Sequence, residues 1–270
     1  MLHPGIVFVI GGRRTGTTLV NAILCSDAAA NPLLPEAQPL TRILEAQQWT
    51  LDRFDRFGRP YFGGADDVHG LFAPVLDGLI GRVAARYPEA ATLVLKNPEL
   101  SKVAGAAAAA FPEARFVVCV RDPRDQVASE MEVGERRIAA GIGSPLVKNR
   151  RFDRLTEYFL GYYEEPLRLH RDRPDRLLFL RYEDVVSDVD GSLAALRRHT
   201  GLALADFDPD APWRSSPEFA AGDGEPWQTP RYGSGIDGGG VGRYRHDLDR
   251  EAIAVIEDLA AGFMDRFGYA

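Results

Sequence analysis

Between an apolar run and a helical segment the chain carries Gly11-Gly12-Arg13-Arg14-Thr15-Gly16-Thr17-Thr18. Glycine-rich backbone at a strand-to-helix junction lets successive N–H groups face one anion, and the helix N-terminus adds favourable partial charge. The spacing from Gly11 to Gly16, with Thr18 at the Ser/Thr position, is that of a phosphate-cradling P-loop. Thr17 stands where such a loop carries the lysine that reaches the outer phosphates. Arg14 instead places a permanent cation inside the loop. Val120 is followed by Arg121 and not by a metal-holding aspartate. These residues imply a phosphate-like anion held without a metal.

A second segment, Arg121-Asp122-Pro123-Arg124-Asp125-Gln126-Val127-Ala128-Ser129, follows the apolar run Arg115–Val120. Arg121 falls at the carboxyl end of a predicted parallel strand, where open α/β sheets bind their ligands. Asp122 suits the cap of the next helix and Pro123 its first position. The spacing of Ser129 puts its hydroxyl on the side of Arg121. Two such sites imply a ligand with two separate anionic groups.

The elements that must position these groups alternate. Short apolar runs at Gly5–Gly11, Thr92–Leu95, Arg115–Val120 and Leu177–Arg181 read as buried strands. Helical segments are predicted at Thr17–Cys25, Gln38–Phe54, Leu71–Tyr87, up to Ala110, from about Arg124, and at Arg154–Arg171, Val189–Thr200 and Asp249–Phe267. Continuous apolar strands between helices indicate a parallel sheet covered on both faces. The expected fold is α/β, a P-loop-containing three-layer arrangement with a central parallel sheet flanked by helices. From Gly201 to Asp247 the regular pattern disappears into prolines and glycines. Because a helix follows, residues 201–247 read as a lid over the site within one domain spanning 1–270.

Composition narrows the function classes. The chain of 270 residues has a net charge of −7, against broad nucleic-acid binding. Its longest unbroken apolar runs are far below the ~20 residues of a membrane span, so no membrane partner is expected. Two cysteines, Cys25 and Cys119, sit in apolar contexts without metal-site spacing. With no signal-peptide pattern at the start, they fit a reducing, cytoplasmic setting. Among 32 basic residues only Lys96, Lys102 and Lys148 are lysines. Lys96 ends a predicted strand, where a cation can meet a strand-end ligand.

GGRRTGTT after the first strand and RFVVCVRDPRDQVAS around the third resemble the paired signatures of sulfotransferases that use 3′-phosphoadenosine 5′-phosphosulfate (PAPS). The likeness extends to Lys96-Asn97-Pro98, to Phe111-Pro112 and to Leu180-Arg181-Tyr182-Glu183-Asp184. It covers residues 5 to 200 and, more loosely, to Tyr244. Pro35-Glu36-Ala37-Gln38 through Arg42-Ile43-Leu44 resemble segments of the tyrosylprotein and carbohydrate-type enzymes. Arg13 and Thr15 depart from the proline and serine usual in the first signature.

The resemblance implies sulfuryl transfer from PAPS to a hydroxyl or amine, leaving 3′,5′-ADP, with no metal. It assigns Arg14, Thr15, Gly16, Thr17 and Thr18 to the 5′-phosphosulfate. Arg121 and Ser129 fall to the 3′-phosphate and Tyr182 to the nucleotide. Lys96 joins Arg14 in neutralising the leaving phosphate, and Ser234 and Arg243 are placed on a loop closing over the 3′-phosphate. Glu36 aligns with the base of the tyrosylprotein pattern, in an apolar setting expected from Leu33, Leu34 and Pro35, with Glu99 in reserve. None of the five histidines fits a base position, since Pro98 stands where the arylsulfotransferase pattern has its histidine. The expected acceptor is a small molecule, a sugar or a tyrosine-type group. Two rival readings remain: a metal-dependent nucleotide kinase or NTPase, and a non-catalytic 3′,5′-ADP-binding protein.

Overall fold

The computed structural model describes residues 5–213 and 234–269. Four strands, β1 (Gly5–Gly11), β2 (Thr92–Lys96), β3 (Arg115–Val120) and β4 (Leu177–Arg181), pair in parallel in the order β2-β1-β3-β4. Side chains alternate across the sheet, as period-two geometry requires. Phe8, Ile10, Phe116 and Val118 enter one core; Val7, Val9, Val117 and Cys119 enter the other.

The helices divide between these faces. Residues of α2 (Gln38–Asp52), α3 (Ala65–Arg86) and α4 (Ala104–Ala110) join the first core. Later in the chain come α5 (Pro123–Ala139), α6 (Pro145–Lys148), α7 (Phe152–Gly161) and α8 (Glu164–Asp172). α1 (Thr17–Leu24), α9 (Tyr182–Ser187) and α10 (Val189–Thr200) pack on the second core. The chain closes with α11 (Tyr244–Asp247) and α12 (Arg250–Phe267). The result is the expected three-layer α/β fold.

Strand order decides where a ligand fits. From β1 the chain crosses to β2 on one side, whereas from β3 it continues to β4 on the other. The carboxyl ends of the adjacent β1 and β3 therefore form the point where connections diverge, and a crevice opens there.

Several elements differ from the sequence reading: α3 begins at Ala65 and not at Leu71, and the short helices α6 and α11 are absent from that reading. The predicted helix at Arg154–Arg171 is broken between α7 and α8. Pro166 has no N–H to bond back to Tyr162, so a new helix starts with the proline in its first turn. Lys96 extends β2 by one residue through pairing with Val9. Finally, α3 is long and apolar enough to cross a membrane by length and composition alone. Its leucines are interleaved with glycine, aspartate and proline, which keeps each unbroken apolar run short.

Candidate active site

The loop after β1 turns on backbone that side chains resist. Gly11 has φ 133°, and an added Cβ would lie 2.3 Å from the Cys119 carbonyl oxygen. Arg14 adopts φ 64° and Gly16 φ 86°, so the chain makes two left-handed steps before α1 begins. Gly16 caps α1 without a side-chain hydrogen bond, leaving that helix end open to an external acceptor. The loop is braced from beneath. Tyr163 receives the Gly12 N–H at 3.2 Å and donates to the Cys119 carbonyl at 2.9 Å. Ser101 Oγ accepts the Gly11 N–H at 2.7 Å. Thr15, 1% exposed, donates its hydroxyl to the Gly12 carbonyl at 2.7 Å. It shapes the loop from inside and does not line the cleft.

Arg121 joins the two strand ends. Its Nη1 donates to the Arg14 carbonyl at 2.8 Å and its Nη2 to the Gly240 carbonyl at 2.5 Å. The guanidinium lies 4.6 Å from the centroid of the Tyr182 ring. That ring also packs on Gly16, where an added Cβ would come within 2.7 Å of Tyr182 Cδ2. Burial pushes Arg121 below its ordinary pKa and Arg14 adds like-charge repulsion, while Tyr182, Asp125 and Glu183 oppose the shift. Arg121 Nε is buried with no hydrogen-bond partner among the described residues. An orphan donor on a buried cation beside a second guanidinium is an environment that an anion would relieve.

Around this pair lies a cleft of about 790 Å³, including its open mouth. It brings together the predicted residues Arg14, Gly16, Thr17, Thr18, Arg121, Ser129, Tyr182, Ser234 and Arg243. Arg14 Nε donates to Ser129 Oγ at 3.2 Å, linking the β1 loop to α5. Arg243 lines the cleft but is paired with Asp247 at 2.6 Å and Glu132 at 2.7 Å.

Lys96 and Glu36 form a second group. Lys96, 6% exposed, sits at the end of β2 with Nζ 3.1 Å from Glu36 Oε1. The Lys96 carbonyl accepts the Ala37 N–H at 2.9 Å, which ties the chain bearing Glu36 to the strand end. The apolar setting expected for Glu36 is not found. Leu33 is buried, but Pro35 and Glu36 are exposed and the carboxylate takes the lysine as its partner. A proline and a half-buried Leu34 do not wrap a side chain that points to an ammonium.

Glu99 is more enclosed. It accepts hydrogen bonds from Tyr162 at 2.5 Å and Tyr158 at 3.2 Å, from Arg13 Nε at 3.1 Å and from Lys102 at 2.9 Å. Burial acts to raise its pKa, but the bonds from Tyr162 and Lys102 and the charges of Lys102 and Arg13 outweigh it, so the carboxyl is held below its ordinary value. Such a carboxylate is a weak proton acceptor.

Three contributors lie outside the sequence assignment. Asp125 accepts the N–H groups of Gly242 at 2.6 Å and Tyr244 at 3.0 Å, fastening the C-terminal segment to α5. Gly240 and Trp213 line the cleft, and the Trp213 indole donates to the Ser234 carbonyl at 2.9 Å. Asp125 stands inside the second signature, so its position carried a signal. Gly240 and Trp213 lie in irregular chain, where no periodicity marks them.

A family model described as "Sulfotransferase family" matches residues 4–206. The chain belongs to the sulfotransferase family. No curated protein matches this sulfotransferase in sequence. Solved structures share its fold. The sulfotransferase domain from the curacin biosynthetic pathway has a TM-score of 0.58 at 16% identity, covering 95% of this chain and 98% of that one. The sulfotransferase domain from the Synechococcus PCC 7002 olefin synthase has 0.56 at 19% identity, covering 96% and 95%. Retinol dehydratase in a complex with retinol and PAP has 0.50 at 17% identity, covering 98% and 82%.

Proposed function

We propose that this sulfotransferase binds PAPS in the cleft between the β1 and β3 ends and moves its sulfuryl group to an acceptor hydroxyl or amine, leaving 3′,5′-ADP. The observation that carries the reading is the convergence of Arg14, Arg121 and Ser129 on one cleft. Two cations on separate strand ends suit a nucleotide with phosphates at both its 3′ and 5′ positions. A structural relative in complex with PAP lends this nucleotide further support.

Each group has a task that follows from its place. The open end of α1 and the Arg14 guanidinium take the 5′-phosphate and its developing charge, the part of the barrier that fixed donors lower most. Arg121 Nε and Ser129 take the 3′-phosphate, with Tyr182 against the base or ribose. Glu36 accepts the acceptor's proton, and Lys96 holds that carboxylate in place and screens the sulfuryl oxygens. In the transfer the acceptor oxygen or nitrogen forms a bond to sulfur while the bond from sulfur to the bridging phosphate oxygen breaks. The proton goes to Glu36 and the electron pair leaves with 3′,5′-ADP. Suitable acceptors are small molecules, sugars or tyrosine-type groups.

Nucleotide binding tests the site. At 100 times its dissociation constant, 3′,5′-ADP should stabilise the fold by about 2.7 kcal/mol in a melting experiment. ATP, which lacks the 3′-phosphate, should do much less. Equal stabilisation by ATP, or a strict requirement for Mg²⁺, would favour the kinase-like reading.

A further inference from the structure

We infer that the outer face of α3 is a self-pairing surface through which two copies of this chain associate, the two α3 helices lying antiparallel. The face directed away from the core carries Asp67, Leu71, Pro74, Gly78, Gly81 and Ala85, at alternating spacings of four and three residues. That is the narrow seam by which helices pair. Every one of these residues is exposed, and Leu71 and Val75 retain 54% and 51% of their surface. By contrast Val68, Leu76 and Ile80, on the opposite side, are buried. The helix thus has one apolar face spent on the core and a second with no partner among the described residues. Tyr61, 81% exposed and just ahead of α3, adds to the uncovered apolar surface.

The pattern selects a second copy over other partners because it is complementary to itself. A two-fold axis between Pro74 and Val75 sets Leu71 of one helix opposite Gly78 of the other, and the reverse. Nothing lies within 4 Å of where a Cβ would stand on Gly78, so there is room for the leucine. The same axis sets Asp67 opposite Arg82. Both are exposed, and neither has an ion pair among the described residues; Asp67 only accepts the Gly63 N–H at 2.8 Å. The acid lies in the first turn and the arginine near the end, so only an antiparallel pair brings them together. A lipid bilayer would accept the leucine and valine but leave Asp67, Asp77 and Arg82 desolvated.

Sedimentation equilibrium on the full chain tests this. The wild type should be a dimer at micromolar concentration. Gly78→Arg fills the hole facing Leu71 and should give a monomer that still unfolds cooperatively, at a temperature that no longer rises with protein concentration, since the site is open in the folded chain. Asp67→Arg and Arg82→Asp should each raise the dimer dissociation constant roughly three- to tenfold, and the double exchange should restore it. A monomeric wild type overturns the inference, whether or not it floats with phosphatidylcholine vesicles. So does a dimer that neither Gly78→Arg nor the single charge changes affect.

Discussion

Arg121 Nη1 donates to the carbonyl oxygen of Arg14 at 2.8 Å, so the cation after β3 holds in place the backbone that presents the cation after β1. The two segments, far apart in sequence, are one mechanical unit. Arg121 also holds Gly240, which brings the C-terminal segment to the same point.

Replacing Arg121 by alanine removes that join and the orphan Nε. A hydrogen bond to a charged group contributes about 1.5–3 kcal/mol, so the dissociation constant for 3′,5′-ADP should rise about 10- to 100-fold. The constant for 5′-AMP should change much less, since it has no 3′-phosphate to lose. Calorimetric titration of both nucleotides checks the difference. Equal losses would mean that Arg121 only supports the loop.

Gly16→Ala should damage the fold and the site together. The backbone there has φ 86°, and the new methyl would sit 2.7 Å from the Tyr182 ring. The left-handed conformation alone costs about 1–2 kcal/mol with a Cβ. Chemical denaturation should show at least that loss, and 3′,5′-ADP affinity should fall with it. Shortening the ring in a Gly16→Ala, Tyr182→Leu double variant should recover part of the stability.

The four strands were legible because buried parallel strands are short unbroken apolar runs, and the bounds of β1, β3 and β4 match that reading residue for residue. The glycine-rich loop after β1 and the Arg121–Ser129 segment were legible because each follows such a run directly. What escaped depends on tertiary contact. That an exposed Glu36 meets the buried Lys96 is set by where the chain after α1 returns across β2, which no local pattern encodes. Thr15 bonding the Gly12 carbonyl, and Asp125 bonding Gly242, are choices of partner that residue type leaves open.

Glu99 should give a pH-dependent stability. Its folded pKa lies below the unfolded value, so its contribution is present above the unfolded pKa of about 4.3 and is lost as pH falls through the lowered folded value. Glu99→Gln should therefore destabilise the protein at pH 7 by about 1.5–3 kcal/mol, the range for bonds to a charged group. The gap should close in urea unfolding as pH falls below the unfolded value and through the lowered folded one. A gap independent of pH would mean that packing, not charge, is what the residue supplies.

Asp125→Ala should loosen the C-terminal segment by releasing Gly242 and Tyr244. Two backbone N–H groups lose a carboxylate acceptor, and the segment that carries Gly240 and Arg243 loses its tie to α5. We expect faster release of 3′,5′-ADP in stopped-flow measurements with a smaller effect on its association rate. An unchanged release rate would show that this segment does not retain the nucleotide.

We propose sulfuryl transfer from PAPS with Glu36 as the base. Its most direct test incubates the protein with PAPS and a panel of phenols, tyrosine peptides, sugars and aliphatic alcohols, read by mass spectrometry of the acceptor and by 3′,5′-ADP formed. The wild type should add one sulfuryl group to at least one acceptor class and release one 3′,5′-ADP for each. Glu36→Gln should bind 3′,5′-ADP as tightly and turn over at least about 100-fold more slowly, the usual contribution of a positioned base. A wild type that binds 3′,5′-ADP yet consumes no PAPS with any acceptor would contradict sulfuryl transfer, and near-normal turnover by Glu36→Gln would rule out Glu36 as the base.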